Sequence, residues 1–184
     1  MNLKTSESEF QGFIEDNLSH AEFFSCVVLY ENAENLAWFA ALRVGEMIRN
    51  YFESKIDKHI TIYLTLKLRN IISNLEKMEE NDVFLLSTDN INIKSISSYL
   101  ASETLNKKRC MVFISKEDNP WVRPFKDITN VVIHVKNISK KKLNCIIVIS
   151  DKGERELEIN YPEEELINKY LELRDTLLRE TIRR

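Results

Sequence analysis

The sequence predicts an α/β fold: a mostly parallel sheet flanked by helices, with a C-terminal antiparallel meander and a final amphipathic helix. Three observations predict it. Short apolar runs alternate with helix-period segments from residue 25 to residue 115, the pattern of βα units. SCVVLY, DVFLLS and CMVFIS are nearly continuous in apolar character, as strands covered on both faces are. After residue 130, three strand-like runs are joined by turn signals too short for a crossover helix.

Each element has a local reason. In SESEFQGFIEDNL (6–18), Phe10, Phe13, Ile14 and Leu18 fall at helical spacing, and Ser6 with Glu9 fits a capping box, so a first helix is expected there. SCVVLY (25–30) is the first strand. From Asn35 to Glu53, Leu36, Phe39, Ala40, Val44, Met47, Ile48 and Tyr51 follow the i, i+3, i+4 rule, with Asn35 as the expected cap. Trp38, Phe39 and Leu42 face different sides of that helix, which fits a helix buried under the sheet. HITIYLTL (59–66) alternates, placing Ile60, Ile62, Leu64 and Leu66 on one face. Residues 67–79 return to helical period through Leu68, Ile71, Ile72, Leu75 and Met78. DVFLLS (82–87), a weaker helix at 95–105 and CMVFIS (110–115) follow. KEDNPWVRPFKD (116–127) reads as a proline-punctuated loop. NVVIHVK (130–136) and NCIIVIS (144–150) flank a basic hairpin tip, DKG (151–153) signals a turn, and ERELEIN (154–160) is the last strand. Pro162 opens a final helix running to about Arg183, with three glutamates near its positive end.

Composition sets the bounds. The 184 residues fit a single domain, 1–184, with 43% hydrophobic and 30% charged residues. No apolar run reaches the ~20 residues of a membrane span, and MNLKTSESEFQGF lacks a signal peptide's apolar core. The expectation is no membrane, and a cytoplasmic location (nuclear in a eukaryote). A net charge of −3 gives no global basic footprint, so any nucleic-acid contact needs a local patch. Cys26, Cys110 and Cys145 lack CxxC spacing and read as buried free thiols. His20, His59 and His134 form no metal motif, and no metal or cofactor is expected.

The junction between the first strand and second helix is where a nucleotide-binding α/β protein holds phosphate. That cradle needs inward backbone N–H groups, hence glycines, and a lysine. Between Tyr30 and Trp38 the chain offers Glu31, Asn32, Ala33, Glu34, Asn35, Leu36 and Ala37 instead. Like charges a few ångströms apart cost on the order of 1 to 4 kcal/mol, so two carboxylates there oppose a triphosphate. Asp89, just after DVFLLS, is the candidate metal carboxylate, although a turn before a helix explains an aspartate equally well. The expectation is no ATP hydrolysis and no catalytic residues.

Three stretches carry the further resemblance. FQGFIEDNL with SCVVLYENAENLAWFAALRVGEMI, NDVFLLSTDN with SISSYLASETLNKKRCMVFIS, and ITNVVIHVKNISKKKLNCIIVISDKGERELEINY resemble, in order and pattern over residues 8–160, the RecA-like ATPase fold in its KaiC-like and recombinase-paralogue branches. The resemblance implies a degenerate member lacking the Walker motifs, to which no nucleotide-binding residue carries over. Catalytically inactive members serve as subunits of larger assemblies. It therefore implies a non-catalytic binding or scaffold subunit, an accessory of DNA recombination or repair that binds itself or a RecA-like partner, with single-stranded DNA as an open further partner. The self-assembly tetrapeptide Phe-x-x-Ala of recombinases does not occur.

Three features are candidates for binding. In recombinases the loop after the corresponding strand contacts single-stranded DNA, and here it offers Lys116, Trp121, Arg123, Phe125 and Lys126. Glu117, Asp118 and Asp127 oppose that use, and the alternative is a surface loop whose Trp121 and Phe125 pack on the sheet edge. The hairpin tip carries Lys136, Lys140, Lys141 and Lys142, apt for phosphates or simply solvated. In the final helix, Leu166, Tyr170, Leu173 and Leu177 form one apolar stripe, widened by Ile167, Leu171, Leu178 and Ile182. One stripe suits the chain's own sheet, and the second suits a partner subunit. Two rival readings stay open: an enzyme on an open α/β sheet using Asp89 or Asp127, and a pure assembly factor that binds no nucleic acid.

Overall fold

The computed structural model describes residues 3–20, 24–88, 91–92, 94, 96–107, 110–122, 125, 129–137, 145–151, 156–161 and 164–183, with side-chain surroundings for all of these except 3–7, 105–106, 136–137, 145–168 and 180–183. The elements run α1 (Leu3–His20), β1 (Ser25–Tyr30), α2 (Glu34–Glu53), β2 (Ile62–Thr65), α3 (Leu68–Lys77), β3 (Val83–Ser87), α4 (Ser97–Lys107), β4 (Cys110–Lys116), β5 (Val131–Asn137), β6 (Cys145–Asp151), β7 (Glu156–Tyr161) and α5 (Glu164–Arg183).

All seven strands form one sheet in the order β2-β3-β4-β1-β5-β6-β7. The pairs from β2 through β5 are parallel, and β6 and β7 are added antiparallel. The α/β class, with its parallel sheet, flanking helices and terminal meander, is as expected.

Strand alternation sorts the core onto two faces. Cys26, Val28, Tyr30, Ile62, Leu64, Val83, Leu85, Val112, Ile114, Ile133 and Val135 join the side chains of α1, α2 and α5. Val27, Leu29, Tyr63, Phe84, Leu86, Met111 and Phe113 join those of α3 and α4. The sheet is thus a middle layer, and β1, β3 and β4 are buried on both faces apart from Lys116 at the end of β4. HITIYLTL alternates, with Ile60, Ile62, Leu64 and Leu66 on one face, yet only residues 62–65 pair as a strand, and all four are buried. The physical reason is that α5 packs on β2 beside α2 while α3 covers the other face.

Element boundaries differ from expectation at two caps. Helix α1 begins at Leu3, so Ser6 lies inside it and does not cap it. Helix α2 is capped at Ala33, with no side-chain cap hydrogen bond, and Asn35 sits within the first turn. The Ala37 N–H closes that turn onto the Ala33 carbonyl at 3.0 Å.

Polar groups fix the register at the amino edge of the sheet. The buried carboxylate of Asp82 accepts from the Thr61 N–H at 3.0 Å and the Glu79 N–H at 2.9 Å. Asn81, just before it, takes a left-handed φ of 71°, a conformation asparagine tolerates. Asn130 fixes the start of β1, accepting from the Ser25 N–H at 2.8 Å while its own N–H donates to the Ser25 carbonyl. Cys26 and Cys110 are free, buried thiols. Burial pushes Cys26 up, and burial followed by the charge of Asp82 pushes Cys110 up to about 12. Both therefore pack as hydrophobes.

Candidate functional site

In an open parallel sheet, ligands bind outside the carboxyl ends of the strands, because the connecting loops and helix N-termini gather there. Here that edge is formed by Tyr30 of β1, Thr88 after β3, Lys116 of β4 and the end of β5.

The β1–α2 junction consists of Glu31, Asn32 and Ala33 only. A GxxxxGK[ST] phosphate loop needs eight residues to curl its N–H groups around an anion. Glu31 and Asn32 are exposed, as are Glu34 and Asn35 of the first turn of α2. Among the described residues the only non-glycine with a left-handed φ is Asn81, so no left-handed residue bends this turn into an anion-binding nest. The chain runs straight from a buried strand into a buried helix, and the positive end of α2 is already flanked by the Glu34 carboxylate.

Across the edge, the Glu117 N–H donates to the Tyr30 carbonyl at 2.9 Å. The Glu117 carboxylate lies 3.1 Å from Nδ1 of His134. Thr88 ties β3 to β4, donating both its N–H and its hydroxyl to the Ile114 carbonyl at 3.0 Å. These contacts use the polar groups of the edge to hold strands together.

The loop after β4 separates the expected binding residues. Lys116 is exposed. A short 3₁₀ turn spans Pro120–Val122, and Asn119 accepts from the Trp121 N–H at 3.1 Å. Trp121 stays 37% exposed, with Nζ of Lys94 5.2 Å from its ring centroid. Phe125 is wholly buried and stacks on Phe113, centroids 4.5 Å apart at 12°. Val122 is buried beside it in the same cluster. Phe125 thus anchors the loop, and the aromatic it leaves for a ligand is Trp121. Arg123, Lys126 and Asp127 lie outside the described residues, as do Asp89 and the tip lysines Lys140, Lys141 and Lys142. Strand β5 is parallel to β1 and β1 to β4, so the chain leaves β5 toward the tip at the same edge where Lys116 ends β4.

The final helix turns its stripe onto the chain's own core. Tyr170 and Leu177 are buried, and Leu173, Leu171 and Leu178 are half-buried against the same cluster. The surroundings of the Leu166 side chain lie outside the described residues. Tyr170 meets Phe39 edge-on at 5.0 Å and donates its hydroxyl to Glu46 at 2.9 Å. Arg43 donates to the same Oε1 of Glu46 at 2.8 Å, and Arg174 lies over the Trp38 ring at 5.2 Å. This seam, built from α2 and α5 residues more than a hundred positions apart, has no local sequence signal.

Reading local patterns also misses a groove at the β2 edge of the sheet. It is lined by Leu64, Leu66 and Leu178 and by Lys67, Arg69, Asn70, Ser73, Asn74 and Lys77, and its volume is about 650 Å³. Asn74 is buried and donates to the Thr65 hydroxyl at 2.8 Å.

No protein-family model matches the sequence, and no curated protein matches it either. Among solved structures, the chain is similar to the crystal structure of the N-terminal domain of zonular occludens toxin from Neisseria meningitidis. The identity is 8% and the TM-score 0.45, over 80% of this chain and 98% of that one. A likeness of that size says nothing about what this chain binds. No helix among the described residues is long and apolar enough to cross a membrane.

Proposed function

We propose that this chain is a non-catalytic recognition domain on a RecA-like sheet, a degenerate relative of the ATPases that acts as a binding or scaffold subunit. One observation carries the reading: the junction where phosphate would sit is a three-residue turn with Glu31 in it and Glu34 directly after. Such a turn has neither the length nor the charge to hold polyphosphate, and the sheet is left to recognition. The wider setting, an accessory of DNA recombination or repair that joins a second copy or a RecA-like partner, comes from the resemblance in element order.

The same edge is the place for a single-stranded oligonucleotide. Lys116 and Trp121 are exposed there, with Lys94 beside the indole, a pairing of cation and aromatic suited to phosphate and base. Two measurements test the reading. ATP with magnesium should leave the melting temperature unchanged, because a ligand held by the folded state alone must raise it. A rise of several degrees, or hydrolysis lost on altering residues 31–33, overturns the non-catalytic reading. A labelled oligothymidylate should bind at low salt, weaken as salt rises, and weaken at least fivefold in Lys116→Ala/Trp121→Ala. Absence of binding at low salt removes the nucleic-acid clause alone.

A further inference from the structure

We infer that the groove between α3 and α5 at the β2 edge is a docking site for an extended acidic peptide segment of a partner protein. The volume of about 650 Å³ is that of a ligand site. Among the described residues its lining is one-signed: Lys67, Arg69 and Lys77 contribute three cations, and none of the lining residues is a carboxylate. Among the described residues, none of the three side chains is paired with an acid, although the chain as a whole carries a net charge of −3. A groove that gathers positive charge on a net acidic protein favours an anionic occupant.

The spacing selects an elongated one. Arg69 and Lys77 are eight residues apart on α3, a rise of about 12 Å, and Lys67 extends the row beyond the helix start. An extended peptide advances about 3.3 Å per residue, so roughly four residues reach from one end to the other. The lining also includes the aliphatic side chains of Leu64, Leu66 and Leu178, and the polar side chains of Asn70 and Ser73. An extended occupant with both acidic and aliphatic side chains satisfies all three kinds of lining group.

Nucleic acid fits less well. Single strands are held by stacking bases on aromatic rings, and none of the described residues lining the groove is aromatic. The exposed Trp121 follows β4, which is separated from β2 by β3.

The test is fluorescence anisotropy on the full chain with a labelled hexapeptide alternating glutamate and leucine, and with a labelled hexathymidylate as the second probe. The peptide should bind at 25 mM salt and weaken as salt rises. Arg69→Glu/Lys77→Glu should weaken it at least tenfold, while Lys116→Ala/Trp121→Ala should not change it. Both substituted groove residues are exposed, and an unchanged melting temperature checks that the variant folds. No peptide binding at low salt, or binding that the charge reversal leaves intact, overturns the inference. Hexathymidylate binding abolished by the charge reversal, with the peptide silent, reassigns the groove to nucleic acid and overturns it equally.

Discussion

Helices α2 and α3 each follow a parallel strand, and each begins without a side-chain cap hydrogen bond, at Ala33 and Lys67. There the likeness ends. Helix α2 buries Leu36 through Leu42 without interruption, then Val44, Gly45, Met47 and Ile48. Helix α3 buries only Ile71, Asn74 and Leu75, and leaves Leu68 and Ile72 nearly half exposed at 45% and 48%. The difference comes from layering. Helix α2 packs on the sheet, α1 and α5, so its polar side is reduced to a narrow, partly exposed strip through Arg43, Glu46, Asn50 and Glu53. Helix α3 is an outer helix with one side over β2 and the rest in solvent. A βα unit can thus be spent on the core or on a surface, and the polar row of α3 is the one that meets a groove.

The largest expected effect tests the core role of α2. Phe39 is wholly buried and meets Tyr170 edge-on, so Phe39→Ala should cost about 3 to 5 kcal/mol in urea unfolding. A loss below 1 kcal/mol would mean that α5 does not seal α2. Next is the polar contact under α3. Asn74→Ala strands the buried Thr65 hydroxyl and should cost about 1 to 3 kcal/mol. No loss would remove Asn74 as a fixed part of the groove wall.

A smaller effect has the opposite sign. At Gly45 of α2 a Cβ would stand 3.7 Å from Ile62 and 3.8 Å from Leu85, ordinary van der Waals contact. Gly45→Ala should therefore stabilise by about 0.5 to 1 kcal/mol through helix propensity. Destabilisation would show that the helix sits closer to the sheet than these distances. The smallest effect is at the surface. Lys58 and Glu79 pair at 2.7 Å, their hydrogen bond raising the lysine and lowering the glutamate. Both are exposed, and Lys58→Ala should leave the melting temperature unchanged in 150 mM salt.

The order and type of the strands and α-helices were legible in the sequence, because burial in this sheet leaves a period-two or uninterrupted apolar signature, while the 3₁₀ turn at Pro120–Val122 was not. Residues 62–65 alternate, and only the packing of α5 on one side and α3 on the other shows why both faces are dry. Caps were less legible, since Ser6 and Asn35 have the right chemistry but helices α1 and α2 begin ahead of them. The acidic, glycine-free junction was visible as residues, and the strand and helix ends supply its length. The loop after β4 could not be divided from its sequence. Trp121 and Phe125 are equally apt as anchors, and the choice falls to Phe125 because Phe113 on β4 offers it a stacking partner. The groove was invisible because Leu178 meets residues 64–77 only in the fold.

Asp82 has a consequence of its own. Strand β2 is four residues long and sits at the end of the sheet, so its ladder with β3 offers little to resist sliding. A slip of one position would turn Ile62 and Leu64 toward the opposite layer and Tyr63 into theirs. The two oxygens of Asp82 grip an amide on each side of the gap, at Thr61 and Glu79, and act as a detent that admits a single alignment. One acidic side chain, outside any strand, thus adds a polar lock to the alignment that Ile62, Tyr63 and Leu64 already favour by packing into the two layers.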